Sequence, residues 1–253
     1  MTLSSPGAGA DKPERNGMIN RYKQHYFCEP VYSVAGQLKA VEVLTGFTTA
    51  SGNDVSWNEL TDILTPEYKW LNFVRQLHVI RQVQDWLIPH HIMVSVNLDE
   101  ETAHCLVADE NVLAMLSAMP FIRLEVNECF TSSYKEKHGL LTVLRRHADL
   151  WLDDVGSGSH NNFELLVRGY FSGAKIDKSF FWQHHTTHTE RLDKVIRDLT
   201  RYAAHVIVEG IETREHLNFL VSTPQCWMQG YYFPRVRAEH IRMLPLWLHS
   251  VAA

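Results

Sequence analysis

From about residue 20 the chain repeats one unit, a short apolar run followed by an amphipathic stretch. The apolar runs are Phe27–Val34, Leu38–Leu44, Ile92–Leu98, Ile122–Val126, Leu150–Val155, Ala174–Ile176, His205–Ile211 and Trp227–Phe233. They are short and mostly β-branched or aromatic, the pattern of strands buried on both faces. Between them, Tyr68–Leu87 places Trp70, Phe73, Val74, Leu77, Ile80, Val83 and Leu87 close to a 3.6-residue period, which predicts a helix. Thr102–Met119, Tyr134–Ala148, Asn162–Tyr170, Glu190–Ala204, Arg214–Val221 and Ala238–Leu248 read the same way, with Ser132-Ser133 and Glu212-Thr213 as helix starts. Strands alternating with helices predict an α/β fold, here a (β/α)8 barrel. The first two runs are too close for a helix between them, and Gly36-Gln37 reads as a hairpin turn. The barrel is therefore expected to be modified, opening with an antiparallel pair. A doubly wound open sheet is the structural alternative, without a GxGxxG to support a dinucleotide-binding version.

Composition narrows this reading. The 253 residues are 45% hydrophobic and 21% charged, an ordinary globular balance with enough chain for a sizeable core. No apolar stretch is long enough for a membrane-spanning helix. The formal charge of −5 argues against a phosphate-gripping DNA- or RNA-binding surface. Cys28, Cys105, Cys129 and Cys226 form no CxxC pair, so reduced thiols in a cytoplasmic protein are expected. Residues 1–20 read as a disordered lead-in, rich in Gly, Ala, Ser and Pro up to Gly17, without the apolar core of a signal peptide. Met1 and Met18 are both possible starts. Residues 21–253 read as a single domain.

Polar residues interrupt the strand runs where apolar ones are expected. They are Glu42, Asn97, Glu125 and Glu128, Asp153 and Asp154, Lys175 and Asp177, Glu209 and Glu212, and Gln229. One such residue is more often a satisfied core group than a functional one. Seven successive strands each delivering one is a different matter, because parallel barrel strands present their C-terminal ends at a single mouth. Glu42, Glu125, Asp153, Asp154 and Glu209 would then converge and repel unless cations sit among them. Carboxylate and amide oxygens without Cys or His suit Mg²⁺ or Mn²⁺, and the adjacent Asp153-Asp154 pair suits a two-metal clamp on a phosphodiester. Lys175 could orient a water or a phosphate oxygen.

These residues also carry a resemblance over roughly residues 22 to 247. The chain resembles the EAL domain family of cyclic di-GMP phosphodiesterases. Glu42-Val43-Leu44 stands where the family has Glu-Ala-Leu, and Glu125–Glu128 where it has Glu-x-x-Glu. Asp153-Asp154-Val155-Gly156-Ser157-Gly158 is similar to its Asp-Asp-Phe-Gly-Thr-Gly loop, and Lys175-Ile176-Asp177 to its Lys-Ile-Asp. Glu209–Thr213 and Gln229-Gly230-Tyr231 match its Glu-Gly-Val-Glu-Thr and Gln-Gly-Tyr segments. The resemblance implies a modified TIM barrel with one antiparallel strand, and hydrolysis of cyclic di-GMP to linear pGpG with two Mg²⁺ or Mn²⁺ per site. It implies Glu42, Asn97, Glu125, Asp153 and Asp154 as metal ligands, with Glu209 ligating metal or helping to position the attacking water. Lys175 would contact that water, Gln229 would complete the shell, and Glu128 would brace the 153–158 loop, where a homodimer would also form. Gln229, Tyr231, Leu44 and Glu29 are the expected substrate-binding positions. Lowered cyclic di-GMP would favour motility over biofilm.

Three positions depart from the family pattern. Gly46 stands where Glu-x-Leu-x-Arg places a phosphate-binding Arg, Glu29 stands where Gln precedes the first-strand Pro, and Val155 replaces Phe. None removes an expected metal ligand. Losing one charged phosphate contact costs about 1.5–3 kcal/mol, so affinity is more exposed than chemistry. The alternative is a catalytically silent relative that regulates a protein partner or acts as a cyclic di-GMP receptor. His184, His185 and His188 resemble a zinc triplet only superficially, since Thr186-Thr187 suggest a loop and no further ligand completes it. Tyr231 and Phe233 are as suited to packing as to guanine contact. Cys129 has no motif histidine to activate it.

Overall fold

The computed structural model describes residues 19–126, 134–156, 163–186, 189–221, 223 and 225–248. Among the described residues, ten strands form one sheet: β1 Lys23–Ser33, β2 Leu38–Thr48, β3 Asp54–Ser56, β4 Met93–Asn97, β5 Ile122–Val126, β6 Asp149–Val155, β7 Gly173–Ile176, β8 His205–Val208, β9 Cys226–Gln229 and β10 Val236–Arg237. β3 and β10 hang on the outer ends of β2 and β1; the remaining eight close into a ring in the order β1-β2-β4-β5-β6-β7-β8-β9, with β9 returning to β1. β1 runs antiparallel to both its neighbours, β2 and β9, and every other pairing in the ring is parallel. This is the expected modified TIM barrel with one antiparallel strand. Gly36 turns the β1–β2 hairpin at φ +87°, a conformation L residues rarely adopt.

The helices between strands are α1 Pro66–Arg81, α2 Gln84–Leu87, α3 Glu100–Ala108, α4 Glu110–Ser117, α5 Tyr134–Leu144, α6 Phe163–Val167, α7 Lys178–His184, α8 Thr189–Leu199 and α9 Arg214–Val221. Local chemistry sets their ends. Thr65 accepts a hydrogen bond from the Tyr68 amide in front of α1, with Pro66 at the first helical position. The helix predicted over Thr102–Met119 is two helices, because Asp109 leaves helical geometry and accepts hydrogen bonds from the amides of Asn111 and Val112. Tyr68–Leu87 likewise breaks at Val83, and Ala238–Leu248 gives only a 3-10 turn over Ala238–Met243. The α7 segment, for which the sequence pattern gives no element, is a helix because Asp177 caps it through the amides of Ser179 and Phe180; it ends at His184, before Thr186. Its His184 is buried against Phe180 and bonded to the Phe180 carbonyl, an arrangement for packing. His188, Ser132 and Ser133 lie outside the described residues.

Alternation along each strand divides its side chains between two cores. Outward residues such as Val41, Val94, Leu124, Leu152, Ala174, Val206 and Met228 join the helices in one large apolar cluster. Inward residues at the start of the parallel strands, met by Val31 near the end of the antiparallel β1, form a smaller cluster of Val31, Ala40, Trp151 and Ile207, with Met93 and Trp227 packed against it. Trp151 fills the space under β7, where a Cβ on Gly173 would sit 2.6 Å from its indole. Inward residues at the other end of the same strands are polar. No helix among the described residues is long and apolar enough to cross a membrane.

Candidate active site

One strand repeat above the Trp151 layer, the alternation delivers Glu42, Ser95, Glu125, Asp153, Lys175, Glu209 and Gln229 to the C-terminal mouth of the barrel. Lys175 is the hub and is 1% exposed. Its Nζ lies 2.7 Å from Glu209, 2.9 Å from Glu125, 3.1 Å from Glu42 and 3.5 Å from Asp153. Glu42 also accepts hydrogen bonds from Asn97 at 2.7 Å and Gln229 at 2.5 Å. Oxygens of Asp153, Asp154 and Glu209 all lie within 4.8 Å of one another. The described members of the expected ligand set are therefore brought together. Glu128, Cys129, Ser157 and Gly158 lie outside the described residues, so the bracing position and the rest of the expected dimer loop fall outside this geometry.

One ammonium faces four carboxylates, and the protonation pattern follows from that imbalance. Burial works against the Lys175 charge, but Asp153, Glu125, Glu209 and Glu42 outweigh it and hold its pKa well above the ordinary value. Burial also opposes the Glu42 charge, yet Lys175, Gln229 and Asn97 win and its pKa is lowered. The others go the opposite way. Burial, reinforced by Glu42, holds Glu125 well above the carboxylate range; burial likewise raises Asp153 and lifts Glu209 to about 8. Glu125 Oε1, Asp153 Oδ1 and Gln229 Oε1 are buried and find no hydrogen-bond partner among the described residues. Oxygen donors, surplus negative charge and orphaned carboxylate oxygens together fit hard divalent cations.

The backbone is strained at the same place. Asp154 has φ +61°, and the β6–β7 register slips between Leu152 and Val155. A non-glycine residue in this region costs roughly 1–3 kcal/mol, and such strain gathers at working sites. The bulge keeps Asp153 and its neighbour Asp154 both within reach of Glu209. Gly230 ends β9 at φ +152°, where a Cβ would fall 2.3 Å from the Ile211 nitrogen; the close approach lets Ile211 donate to Gln229 and accept from Tyr232.

Beside the mouth lies a cleft of about 690 Å³, roofed by the β1–β2 hairpin where it overshoots the barrel and floored by Asn97 and Glu125. Of the expected substrate positions, Leu44, Glu29 and Tyr231 line it, Tyr231 being 72% exposed. Phe233 does not: it is 3% exposed and packs on Tyr32, because β9 stops at Gln229 and the chain turns inward rather than continuing as the expected strand. Glu29 sits directly opposite Glu42 in the β1–β2 register, and burial and Glu42 together raise its pKa. Gly46 lies on the wall, where an added Cβ would meet His25 Nε2 at 2.6 Å and Phe27 at 2.8 Å.

The polar wall of the cleft is the part the sequence reading missed. Asn72 Oδ1 accepts from Gln24, Tyr26 and Thr45, while Gln76 bonds the Val43 carbonyl and Thr45. The signal was present: Asn72 and Gln76 fall four residues apart in the buried stripe of α1, beside Phe73, Leu77 and Ile80.

The family model described as EAL domain matches residues 16–235. The chain is 26% identical over 238 residues to the cyclic di-GMP phosphodiesterase PdeH of Escherichia coli K12, covering 92% of this chain and 91% of that one. It is 22% identical over 196 residues to the anti-FlhC(2)FlhD(4) factor YdiV of Salmonella typhimurium LT2, covering 76% of this chain and 82% of that protein. The crystal structure of the EAL-like domain protein YdiV superposes with a TM-score of 0.79 at 25% identity, over 90% of this chain and 98% of that chain.

Proposed function

This chain belongs to the EAL domain family, and we propose that it is a metal-dependent phosphodiesterase hydrolysing cyclic di-GMP to linear pGpG. The observation that carries the reading is the imbalance at the mouth: four carboxylates around Lys175, with Glu125 Oε1 left without a hydrogen bond at the edge of a cleft. Glu42, Asn97, Glu125, Asp153, Asp154 and Glu209 would hold two Mg²⁺ or Mn²⁺ ions. When bound, such ions neutralise charge on a phosphodiester and lower the pKa of a water nucleophile.

The chain's own groups have separate tasks. Lys175 stays protonated, so it acts as a fixed cation that orients the attacking oxygen and does not serve as a base. Glu209 borders the cluster and is partly exposed, so it can help position the attacking water. Gln229 and Asn97 fix the Glu42 carboxylate by donating to its two oxygens. Tyr231, Leu44 and Glu29 would contact the dinucleotide across the cleft.

One observation favours a second reading. The position that resembles a phosphate-binding Arg in the family is Gly46, walled off by His25 and Phe27, and the chain is also similar to a protein named as an anti-FlhC(2)FlhD(4) factor. A silent regulator of a protein partner, or a cyclic di-GMP receptor, is therefore the rival. Incubating the purified protein with cyclic di-GMP and Mg²⁺ or Mn²⁺, and following pGpG by chromatography, decides between them. Turnover that EDTA stops is expected; no turnover with either metal in a folded sample would overturn the enzyme reading.

A further inference from the structure

The cleft that leads to the carboxylates is a poor place for an anion unless some cation offsets them. Three basic side chains line it: His25, Lys69 and Arg235. Lys69 is already committed, with Asp99 at 3.1 Å and Glu101 at 2.9 Å. His25 has its pKa lowered by burial and by Arg237, so it is neutral at physiological pH. No side chain enters from Gly46, since even a Cβ there would collide with His25 and Phe27.

Arg235 differs on each count. Its guanidinium lies 4.2 Å from the centroid of the Phe27 ring, within the range of a cation–π contact. It meets Glu29 at 3.9 Å, beyond hydrogen-bond reach, and its side chain is 43% exposed. The ring belongs to β1, and β10, immediately after Arg235, pairs with that strand through Phe27 and Cys28. The guanidinium is thus held over a rigid strand, next to Glu29 and hence next to Glu42, with its donors open to the cleft. A planar, permanently charged fork in that setting is suited to a phosphate.

We propose that Arg235 is a substrate-binding residue of this chain, holding a phosphate of the cyclic dinucleotide where β2 offers only Gly46. The proposal rests on the phosphodiesterase reading for its substrate. Phe27 acts as the platform that orients the guanidinium, and His25 as the neutral filler that keeps the wall closed.

The test compares wild type, Arg235→Met and Arg235→Lys. Steady-state hydrolysis of cyclic di-GMP with Mg²⁺ or Mn²⁺ gives KM and kcat, and calorimetric titration with cyclic di-GMP in EDTA gives Kd. Removing a charge-assisted contact raises KM and Kd by about tenfold to a hundredfold, with kcat changed by less than about threefold. Arg235→Lys falls between, because it keeps the charge and loses the fork. Unchanged KM and Kd in Arg235→Met, or a drop in kcat and thermal midpoint with KM unmoved, overturns the proposal while leaving the enzyme reading intact. Wild type that binds without turnover removes the enzyme reading, and the Kd comparison then decides the role of Arg235. Wild type that neither binds nor hydrolyses cyclic di-GMP overturns both.

Discussion

The two ends of the barrel interior are built by the same strands, two residues apart, and they obey opposite rules. On β6 the lower inward residue is Trp151 and the upper one Asp153; on β2 the pair is Ala40 and Glu42, and on β8 with the residue after it, Ile207 and Glu209. The lower end is a dry plug in which Val31, Ala40, Trp151 and Ile207 are all 0% exposed. The upper end packs like charges around a single ammonium and leaves buried oxygens unpaired. One end lowers the energy of the folded chain, and the other raises it. Division along a strand, rather than between strands, lets the fold absorb that strain within a few ångströms of where it is generated.

If that division is real, substitutions at the two ends must produce different kinds of loss. Trp151→Ala should have the largest effect on stability, about 3–5 kcal/mol, because the barrel cannot close over the vacated volume. Chemical denaturation measures it, and a loss below about 1 kcal/mol would show that the plug does not hold the lower end. Glu42→Ala should do the reverse. It removes one of four carboxylates around Lys175 and the acceptor of Asn97 and Gln229. Turnover should fall by at least about a hundredfold, the scale of losing one group that stabilises charge in the transition state. The unfolding midpoint should stay near wild type, since relieving like-charge repulsion offsets the lost hydrogen bonds. Retained hydrolysis would refute Glu42 as a metal ligand. Gly173→Ala is a finer probe of the plug. Its Cβ would press on the Trp151 indole at 2.6 Å, and overpacking of that sort costs about 1–3 kcal/mol. The variant should be destabilised, with KM unchanged because Lys175, two residues on, keeps its partners; a neutral result would mean that Trp151 has room to move.

The sequence pattern reveals this architecture unevenly. Strand existence and the antiparallel opening follow from apolar runs and the glycine turn, because burying both faces of a strand leaves few alternatives. The carboxylates were legible for the converse reason: Glu42 within Ala40–Leu44 violates the pattern, and violations mark function. Ends and breaks were not legible where one side chain decides them, as Asp109 splits one predicted helix into α3 and α4 and Asp177 starts α7. Phe233 was ambiguous because strand and turn give the same residue opposite surroundings, and the Gly230 approach to Ile211 chooses the turn. Asn72 and Gln76 stayed hidden because a polar residue on an apolar helical face reads as noise until Thr45 and Gln24 are placed opposite.

The smallest effect separates the ends by pH. His205 closes the lower end, stacked on Trp227 with ring centroids 4.3 Å apart and tilted by 24°. Burial, then the nearby Arg123 charge, lowers its pKa below the ordinary 6.5. The unfolded chain therefore takes up this proton before the folded one does. The contribution of a neutral His205 to stability is complete above about pH 6.5 and is lost as pH falls towards the lower folded value. His205→Gln stays uncharged throughout, so the stability difference between wild type and this variant should shrink, by a modest amount for a half-buried ring, between pH 8 and pH 5. Taking the difference cancels the other histidines, and EDTA in both samples removes any metal linkage at the mouth. A difference that does not change with pH would mean the ring is solvated, and that the lower end is less dry than its Trp151 layer implies.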